Sequence, residues 1–247
     1  MASKTARSRR ESLRRYAREL RRRGFERVAG VDEAGVGPLA GPLVAAAVVL
    51  PAGIRLPDVD DSKRLTADRR ELCAEAVRAG ALSATIVTVP AAEVDALGPY
   101  QASLTAMARA VRALSPEPDY LLIDARPLPD VKIPQESVIG GDGRHLAIAA
   151  ASVLAKVERD RHMRELETAY PGYGFGRHMG YGTASHMAAL RRLGPCPEHR
   201  RCCAPVREAE GRQGRLFAAA PRLTGRSSTP SAPAGPDSGT DPSETGA

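Results

Sequence analysis

The sequence has no tryptophan and few other aromatic residues, and it lacks long apolar runs. Nine of its 247 residues are aromatic, too few for the stacked-ring surfaces that bind single-stranded nucleic acid. No apolar run reaches the roughly 18 residues that a membrane-spanning helix needs. No apolar segment follows the basic start, as it would in a secretory signal. We therefore expect no membrane association.

Cysteine is scarce as well. Three of the four cysteines lie between positions 196 and 203, too few and too clustered for a disulfide framework, which predicts a reducing, cytoplasmic setting. A zinc site is not expected in this segment, because it contains no Cys-x-x-Cys pair and adjacent cysteines rarely share one tetrahedral ion. The residues concerned are Cys196, His199, Cys202 and Cys203.

The net charge of +7 is concentrated near the N-terminus. Residues 1–27 contain eleven basic and three acidic side chains, whereas residues 28–204 contain 20 basic and 21 acidic ones. A nucleic-acid-binding surface spread over the whole protein is therefore excluded, but a basic arm is not. A narrow apolar stripe at helical spacing predicts that residues 1–24 form a basic helical arm that docks lightly.

The apolar periodicity alternates between the strand and the helix pattern along the chain. Strands are predicted at 27–33, 43–50, 83–89, 120–124 and 137–139. Helices are predicted at 7–23, from 66 onward, and at 99–114, 146–170 and 183–193. This alternation indicates an α/β fold, a mixed sheet flanked by helices with a C-terminal helical part. Residues 207–247, mostly Ala, Pro, Ser, Thr and Gly toward their end, are predicted to be a disordered tail.

Four carboxylates fall at the ends of predicted strands: Asp32, Glu33, Asp124 and Asp142. Each could simply cap a turn, but buried acids need a counter-charge, and four at successive strand ends favour Mg²⁺ or Mn²⁺, which prefer oxygen ligands. Two such ions about 4 Å apart suit phosphodiester hydrolysis, in which one activates water and the other stabilises the leaving oxygen. Adjacent strand residues point to opposite faces, so Asp32 and Glu33 reach one site only if the strand stops there.

Six motifs resemble those of bacterial type 2 ribonuclease H (ribonuclease HII). Each motif is modest alone, but all six occur in the family's order within about 28–206, and this combination is highly specific. They read VDEAGVGPLAGP at 31–42, DSKRL at 61–65, LIDA at 122–125, GD at 141–142, AAASVLAKVERD at 149–160 and YGFGRHMGYGT at 173–183.

The resemblance implies a ribonuclease H-like catalytic domain over residues 25–206. It implies a metal-dependent endonuclease that cuts the RNA strand of RNA/DNA hybrids and nicks duplex DNA at single ribonucleotides, leaving a 5′-phosphate and a 3′-hydroxyl. The implied cofactor is Mn²⁺ or Mg²⁺, with two ions when substrate is bound. By motif position, the catalytic and metal-binding acids are Asp32, Glu33, Asp124 and Asp142. The substrate-binding residues are Gly35, Val36 and Gly37, Lys63 at a phosphate, and Tyr181 on the deoxyribose after the ribonucleotide.

Three positions depart from the family pattern. Val36 stands where an arginine is usual, and Gly140 and Met179 stand where lysines are usual. The loss of three cations predicts weaker substrate binding or an altered preference for the junction between a ribonucleotide and the following deoxyribonucleotide. The four acids predict retained catalysis. The alternative function is a non-catalytic RNA/DNA hybrid-binding module. We expect a monomer that binds hybrids and duplex DNA containing ribonucleotides.

Two further groups have more than one interpretation. Asp160 and Lys156 are four residues apart, which is typical of a solvated ion-pair face on a helix, although Lys156 has a phosphate contact as its alternative. His178 and His186 flank Tyr181. They are predicted to form hydrogen bonds within that loop or, alternatively, to carry protons near neutral pH.

Overall fold

A five-stranded mixed sheet forms the centre of the protein, in a computed structural model that describes residues 15–56 and 66–218, with side chains to residue 211. The order across the sheet is β3-β2-β1-β4-β5; β3, β2 and β1 are antiparallel neighbours, and β1, β4 and β5 are parallel. The C-terminal ends of β1 and β4 therefore share one edge. The strands are β1 (Val28–Ala34), β2 (Leu43–Val49), β3 (Ser83–Val89), β4 (Tyr120–Asp124) and β5 (Gln135–Val138).

Helices cover both faces of this sheet. Strand β2 is buried on both faces, as its apolar sequence predicts, because alternate residues enter two separate cores. One core contains α2 and α5, and the other contains α4. The helices are α1 (described over 15–22), α2 (Ala67–Gly80), α3 (Ala91–Leu97), α4 (Pro99–Arg112), α5 (Leu146–Ala169), α6 (Phe175–His178), α7 (Ala184–Leu193) and α8 (Ala204–Ala218).

The predicted α/β class, the flanking helices and the helical C-terminal part are confirmed. Thr66 caps α2 by accepting a hydrogen bond from the Arg69 amide at 3.4 Å, and α5 has nearly its predicted length. Helix α3, which begins after Pro90, was not predicted. Within the described part of the chain, every helix is too short or too polar to cross a bilayer.

Two predictions about the chain ends are wrong in the described residues. Helix α1 does not dock lightly: Leu20 is fully buried among apolar residues of β1, β4, β5 and α5. Helix α8 crosses the predicted boundary at 206, so the predicted disorder does not hold for residues 207–218. Val206 and Ala209 lie three residues apart, on one helical face, and pack with Leu190 of α7. Residues 219–247 lie outside the described part.

Helix α5 rests directly on β1. A Cβ atom built on Gly30 would lie 2.0 Å from the carbonyl carbon of Ala147 and 2.2 Å from its oxygen. Both are backbone atoms, so a side chain here requires the helix to move. Glycine at position 30 therefore fixes the distance and the register between α5 and the strand that carries Asp32.

We expect Gly30→Ala to destabilise the protein by about 1–3 kcal/mol or more, because the new methyl group overpacks a contact between two backbones. Urea unfolding measures this loss. Gly211→Ala is the matched control, since a Cβ at this exposed position of α8 meets nothing within 4 Å. The control is expected to be neutral or stabilising by up to about 1 kcal/mol. Equal stability of the two variants would contradict the close-packing argument.

Candidate active site

A cleft of about 280 Å³ opens at the shared C-terminal edge of β1 and β4. It brings together three of the four predicted acids, the glycine turn at 35–37 and Tyr181, the residue predicted to contact the deoxyribose after the ribonucleotide. These residues are distant in sequence. The lining residues are Asp32, Glu33, Ala34, Gly35, Val36, Gly37, Asp124, Ser152, Lys156, Arg159 and Tyr181. Strand β1 ends at Ala34, one residue after Glu33 and directly before the turn at Gly35, and both adjacent acids reach the cleft as expected.

Asp32 is the most buried acid of the cleft, with 5 % of its surface exposed. Burial raises its pKa well above the ordinary value, and the nearby carboxylates of Glu33 and Asp124 raise it further. A hydrogen bond from Ser152 and one from the Glu33 amide, at 2.7 Å, partly offset this effect. The acids are therefore held close enough to repel one another, an arrangement that a bound cation stabilises.

Asp142 lies beside the cleft rather than in its lining. The preceding residue, Gly141, donates its amide to Asp124 Oδ1 at 2.7 Å, and Asp142 Oδ1 accepts the Gly143 amide at 2.9 Å. In the parts of the chain that the structure describes, no three His, Cys, Asp or Glu side chains form a group that could hold a metal ion. The Gly141 hydrogen bond links the segment that carries Asp142 to Asp124.

The glycine turn at 35–37 lines the cleft, with Gly37 exposed and Gly35 buried. Gly35 has a φ of 99°, and a Cβ there would lie 2.2 Å from Arg159 Nε, so the position requires glycine. A Cβ on Gly37 would meet nothing within 4 Å, which leaves that side open to a ligand. Val36, where the family usually has arginine, packs partly against the core that contains α4. Its carbonyl accepts a hydrogen bond from Arg200 Nη1 at 3.1 Å.

Helix α5 contributes a polar stripe to the cleft. Ser152, Lys156 and Arg159 lie four and three residues apart, so they share one helical face. Lys156 Nζ lies 2.5 Å from Asp160 Oδ1, and Arg70 Nη1 lies 3.0 Å from Asp160 Oδ2. Asp160 is 5 % exposed, so the ion pair is as expected but the prediction of a solvated face is wrong, because α2 covers it.

Two buried arginines join the loops around the cleft, and sequence reasoning missed both. Arg159 donates to the carbonyls of Pro42 at 3.0 Å, Ala40 at 3.3 Å and Met179 at 3.0 Å. Arg200 donates to Gly41 O from Nε at 3.0 Å and from Nη2 at 2.8 Å, as well as to Val36. Carbonyl oxygens are good partners for a buried guanidinium. For Arg159, the spacing from Ser152 and Lys156 was the available signal.

Tyr181 also lines the cleft and is 47 % exposed. The Arg159 guanidinium lies 5.8 Å from its ring centroid. His186 Nδ1 lies 2.9 Å from the Tyr181 carbonyl oxygen, and His178 Nδ1 accepts the Gly180 amide at 3.2 Å, so both histidines form hydrogen bonds within the loop. Lys63, the predicted phosphate contact, lies outside the described residues.

The chain matches the family model described as "Ribonuclease HII" over residues 29–205. It is 55% identical over 210 residues to the ribonuclease HII of Geobacillus thermodenitrificans, an alignment that covers 85% of this chain and 81% of that protein. It is also 51% identical over 212 residues to the ribonuclease HII of an Anaeromyxobacter species, covering 85% of this chain and 67% of the relative.

The structure resembles the crystal structure of ribonuclease H2 from Pyrococcus horikoshii. The TM-score is 0.66 at 27% sequence identity, and the match covers 75% of this chain and 98% of the other. The resemblance in fold therefore includes nearly the whole of the Pyrococcus protein.

The acids of the cleft fit a divalent cation in chemical type and in charge. Carboxylate oxygens are the ligands that Mg²⁺ and Mn²⁺ prefer, and the raised pKa of Asp32 reflects burial and repulsion that such a cation offsets. The repulsion acts on the Asp32 carboxylate and comes from the carboxylates of Glu33 and Asp124.

We expect Asp32→Asn to raise the unfolding temperature by a few degrees in EDTA at neutral pH. The folded-state pKa of Asp32 lies above the unfolded value, so ionisation destabilises the wild-type fold as pH rises, and the difference closes below about pH 4. Added Mn²⁺ is expected to stabilise the wild type more than the variant. Thermal unfolding with and without metal measures both effects.

Asp95→Asn is the matched control with the opposite expected sign. Burial raises the pKa of Asp95, but hydrogen bonds from the Cys202 and Arg201 amides, both at 2.8 Å, outweigh this and leave it below the ordinary value. This substitution is expected to lower the unfolding temperature at neutral pH. If both variants shift the unfolding temperature in the same direction, repulsion in the cleft is not the cause.

Proposed function

The chain belongs to the ribonuclease HII family and is a ribonuclease H, and from this premise we propose that it hydrolyses the RNA strand of RNA/DNA hybrids and nicks duplex DNA at embedded ribonucleotides. The proposed products are a 5′-phosphate and a 3′-hydroxyl. The observation that carries the proposal is the cleft that Asp32, Glu33 and Asp124 line together with the open backbone of Gly37 and the exposed ring of Tyr181.

The acids at the ends of β1 and β4 are proposed to bind two divalent cations, Mn²⁺ or Mg²⁺, together with Asp142. Such ions, when bound, supply an activated water and neutralise charge on the leaving oxygen. Asp32 is fixed by burial and by Ser152, so its role is to anchor a cation rather than to transfer a proton. Glu33 is half-buried and lines the same cleft, and it is proposed to lie nearest to a bound ribose.

Substrate orientation is assigned to the two walls of the cleft. The amides of Gly35 and Gly37 are proposed to contact the ribose 2′-hydroxyl, the group that distinguishes RNA from DNA, and the adjacent phosphate. Tyr181 is proposed to stack on the deoxyribose that follows the ribonucleotide, and Lys63 to contact a phosphate. Recognition then depends on the backbone and the groove of the duplex rather than on base sequence. We propose that the protein acts as a monomer in the cytoplasm.

We expect Glu33→Gln to lower cleavage of a duplex with one ribonucleotide by at least about a hundredfold, since a metal-proximal carboxylate contributes several kcal/mol to the transition state. Duplex binding is expected to be retained. A denaturing gel with Mg²⁺ or Mn²⁺ measures cleavage, and a gel shift measures binding. Undiminished turnover by the variant would refute the assignment of Glu33. Binding by the wild type without a nick at any metal concentration would favour the hybrid-binding alternative.

The basic arm is expected to contribute to affinity and not to chemistry. Residues 1–14 hold five basic and one acidic side chain, and a deletion that stops at residue 14 leaves the buried Leu20 in place. This deletion is expected to weaken duplex binding and to reduce its salt dependence, with little change in single-turnover rate. Fluorescence anisotropy at several salt concentrations measures this. An unchanged salt slope would show that the arm makes no phosphate contacts.

A further inference from the structure

A buried chain of hydrogen bonds runs from the loop between α7 and α8 to the backbone of Tyr181. The Cys196 amide donates to His199 Nδ1 at 3.0 Å. His199 Nε2 lies 3.1 Å from His186 Nε2, and His186 Nδ1 lies 2.9 Å from the Tyr181 carbonyl oxygen. His186 and His199 are fully buried, so this chain links the interior to the one residue that projects over the cleft from this loop.

The direction of every bond in this chain follows from its first donor. Because the Cys196 amide donates to His199 Nδ1, a neutral His199 carries its proton on Nε2 and donates it to His186. His186 Nε2 is then an acceptor, so its proton lies on Nδ1 and is donated to the Tyr181 carbonyl. The chain is complete only while both rings are neutral.

The surroundings keep both rings neutral. Burial and then the nearby His186 lower the pKa of His199 to about 4, and burial also lowers the pKa of His186. The His186 ring stacks on His178 with centroids 4.3 Å apart and meets the edge of Phe175 at 5.6 Å. Within the described residues, neither ring forms an ion pair with a carboxylate; the charged neighbour of His199 is Arg201, which disfavours its protonation.

The Tyr181 loop is anchored on both sides of this contact. Leu39 donates its amide to Gly180 O at 2.9 Å, and a Cβ on Gly180 would lie 2.4 Å from Ala40 O, so the loop lies directly on the 39–41 segment. The Tyr181 carbonyl also accepts the Thr183 amide at 2.8 Å. The Tyr181 amide donates to His178 O at 3.0 Å, and the bond from His186 connects the Tyr181 carbonyl to the buried core.

We propose that His186 and His199 are positioning residues that hold Tyr181 over the cleft and thereby set the preference for single ribonucleotides embedded in duplex DNA. This inference rests on the proposed role of Tyr181. The histidines do not touch substrate; they act through the Tyr181 carbonyl. Their effect is therefore expected on substrates that need the Tyr181 ring, and much less on the chemistry at the acids of the cleft.

Two nearly isosteric substitutions of His186 separate positioning from packing. His186→Asn keeps an amide at the place of Nδ1 and can donate to the Tyr181 carbonyl. His186→Gln keeps a polar group at the place of Nε2, toward His199, and loses the donation to Tyr181. Both variants lose the same ring stacking against His178, so the packing cost is shared between them.

The measured quantity is the ratio of kcat/KM on a duplex with one ribonucleotide to kcat/KM on a uniform RNA/DNA hybrid. His186→Gln is expected to lower this ratio roughly tenfold, the factor that corresponds to one lost hydrogen bond. His186→Asn is expected to stay within about twofold of the wild type. Equal ratios for the two variants, whether reduced or unchanged, would overturn the proposal.

A second measurement distinguishes failure of this inference from failure of the proposed function. If Tyr181→Ala leaves the ratio unchanged, Tyr181 is not the junction-sensing residue, and that part of the proposed function fails. Because the chain has no tryptophan of its own, Tyr181→Trp introduces a single tryptophan fluorophore, and it lies in the loop. Its anisotropy is expected to fall when combined with His186→Gln but not with His186→Asn. Equal anisotropy in both combinations would overturn the positioning role independently of activity.

Discussion

The contact on which the rest of the structure depends is the direct packing of the α5 backbone on β1. Gly30 permits this contact, since any larger residue would place its Cβ against the Ala147 peptide. Once α5 lies there, its register brings Ser152 beside Asp32 and places Lys156 and Arg159 in the cleft. The position of the acids and of their polar neighbours therefore follows from one glycine two residues before the first acid.

Buried charges of both signs lie in and around the cleft. Burial and mutual repulsion destabilise the ionised Asp32. Burial also lowers the pKa of Arg159, and burial together with Arg159 lowers that of Arg200, beside the cleft, to about 10. Each arginine is stabilised by backbone carbonyls of the surrounding loops. These bonds fix the loops before substrate arrives, so less ordering remains to be done on binding.

Local sequence patterns predicted most of the fold. The apolar run of β2 indicated a strand buried on both faces, and the long periodicity of α5 gave its bounds nearly to the residue. Helix α3 was missed because seven residues carry too little periodicity, and α8 was assigned in part to a tail because composition outweighed the spacing of Val206 and Ala209. The burial of Leu20 was also underestimated, because one residue on a narrow apolar stripe does not reveal how deeply its helix packs.

The sequence by itself determined the chemical groups: four carboxylates after strands, a glycine turn and a tyrosine in a glycine-rich loop, in the order of one family. Tertiary structure decided how they meet. It buried Asp160, turned Val36 partly toward the core, placed Asp142 beside the cleft, and linked three histidines under Tyr181. These features depend on contacts between segments far apart in the chain. Periodicity reports the faces of single elements but not which distant backbone or charge will lie against them.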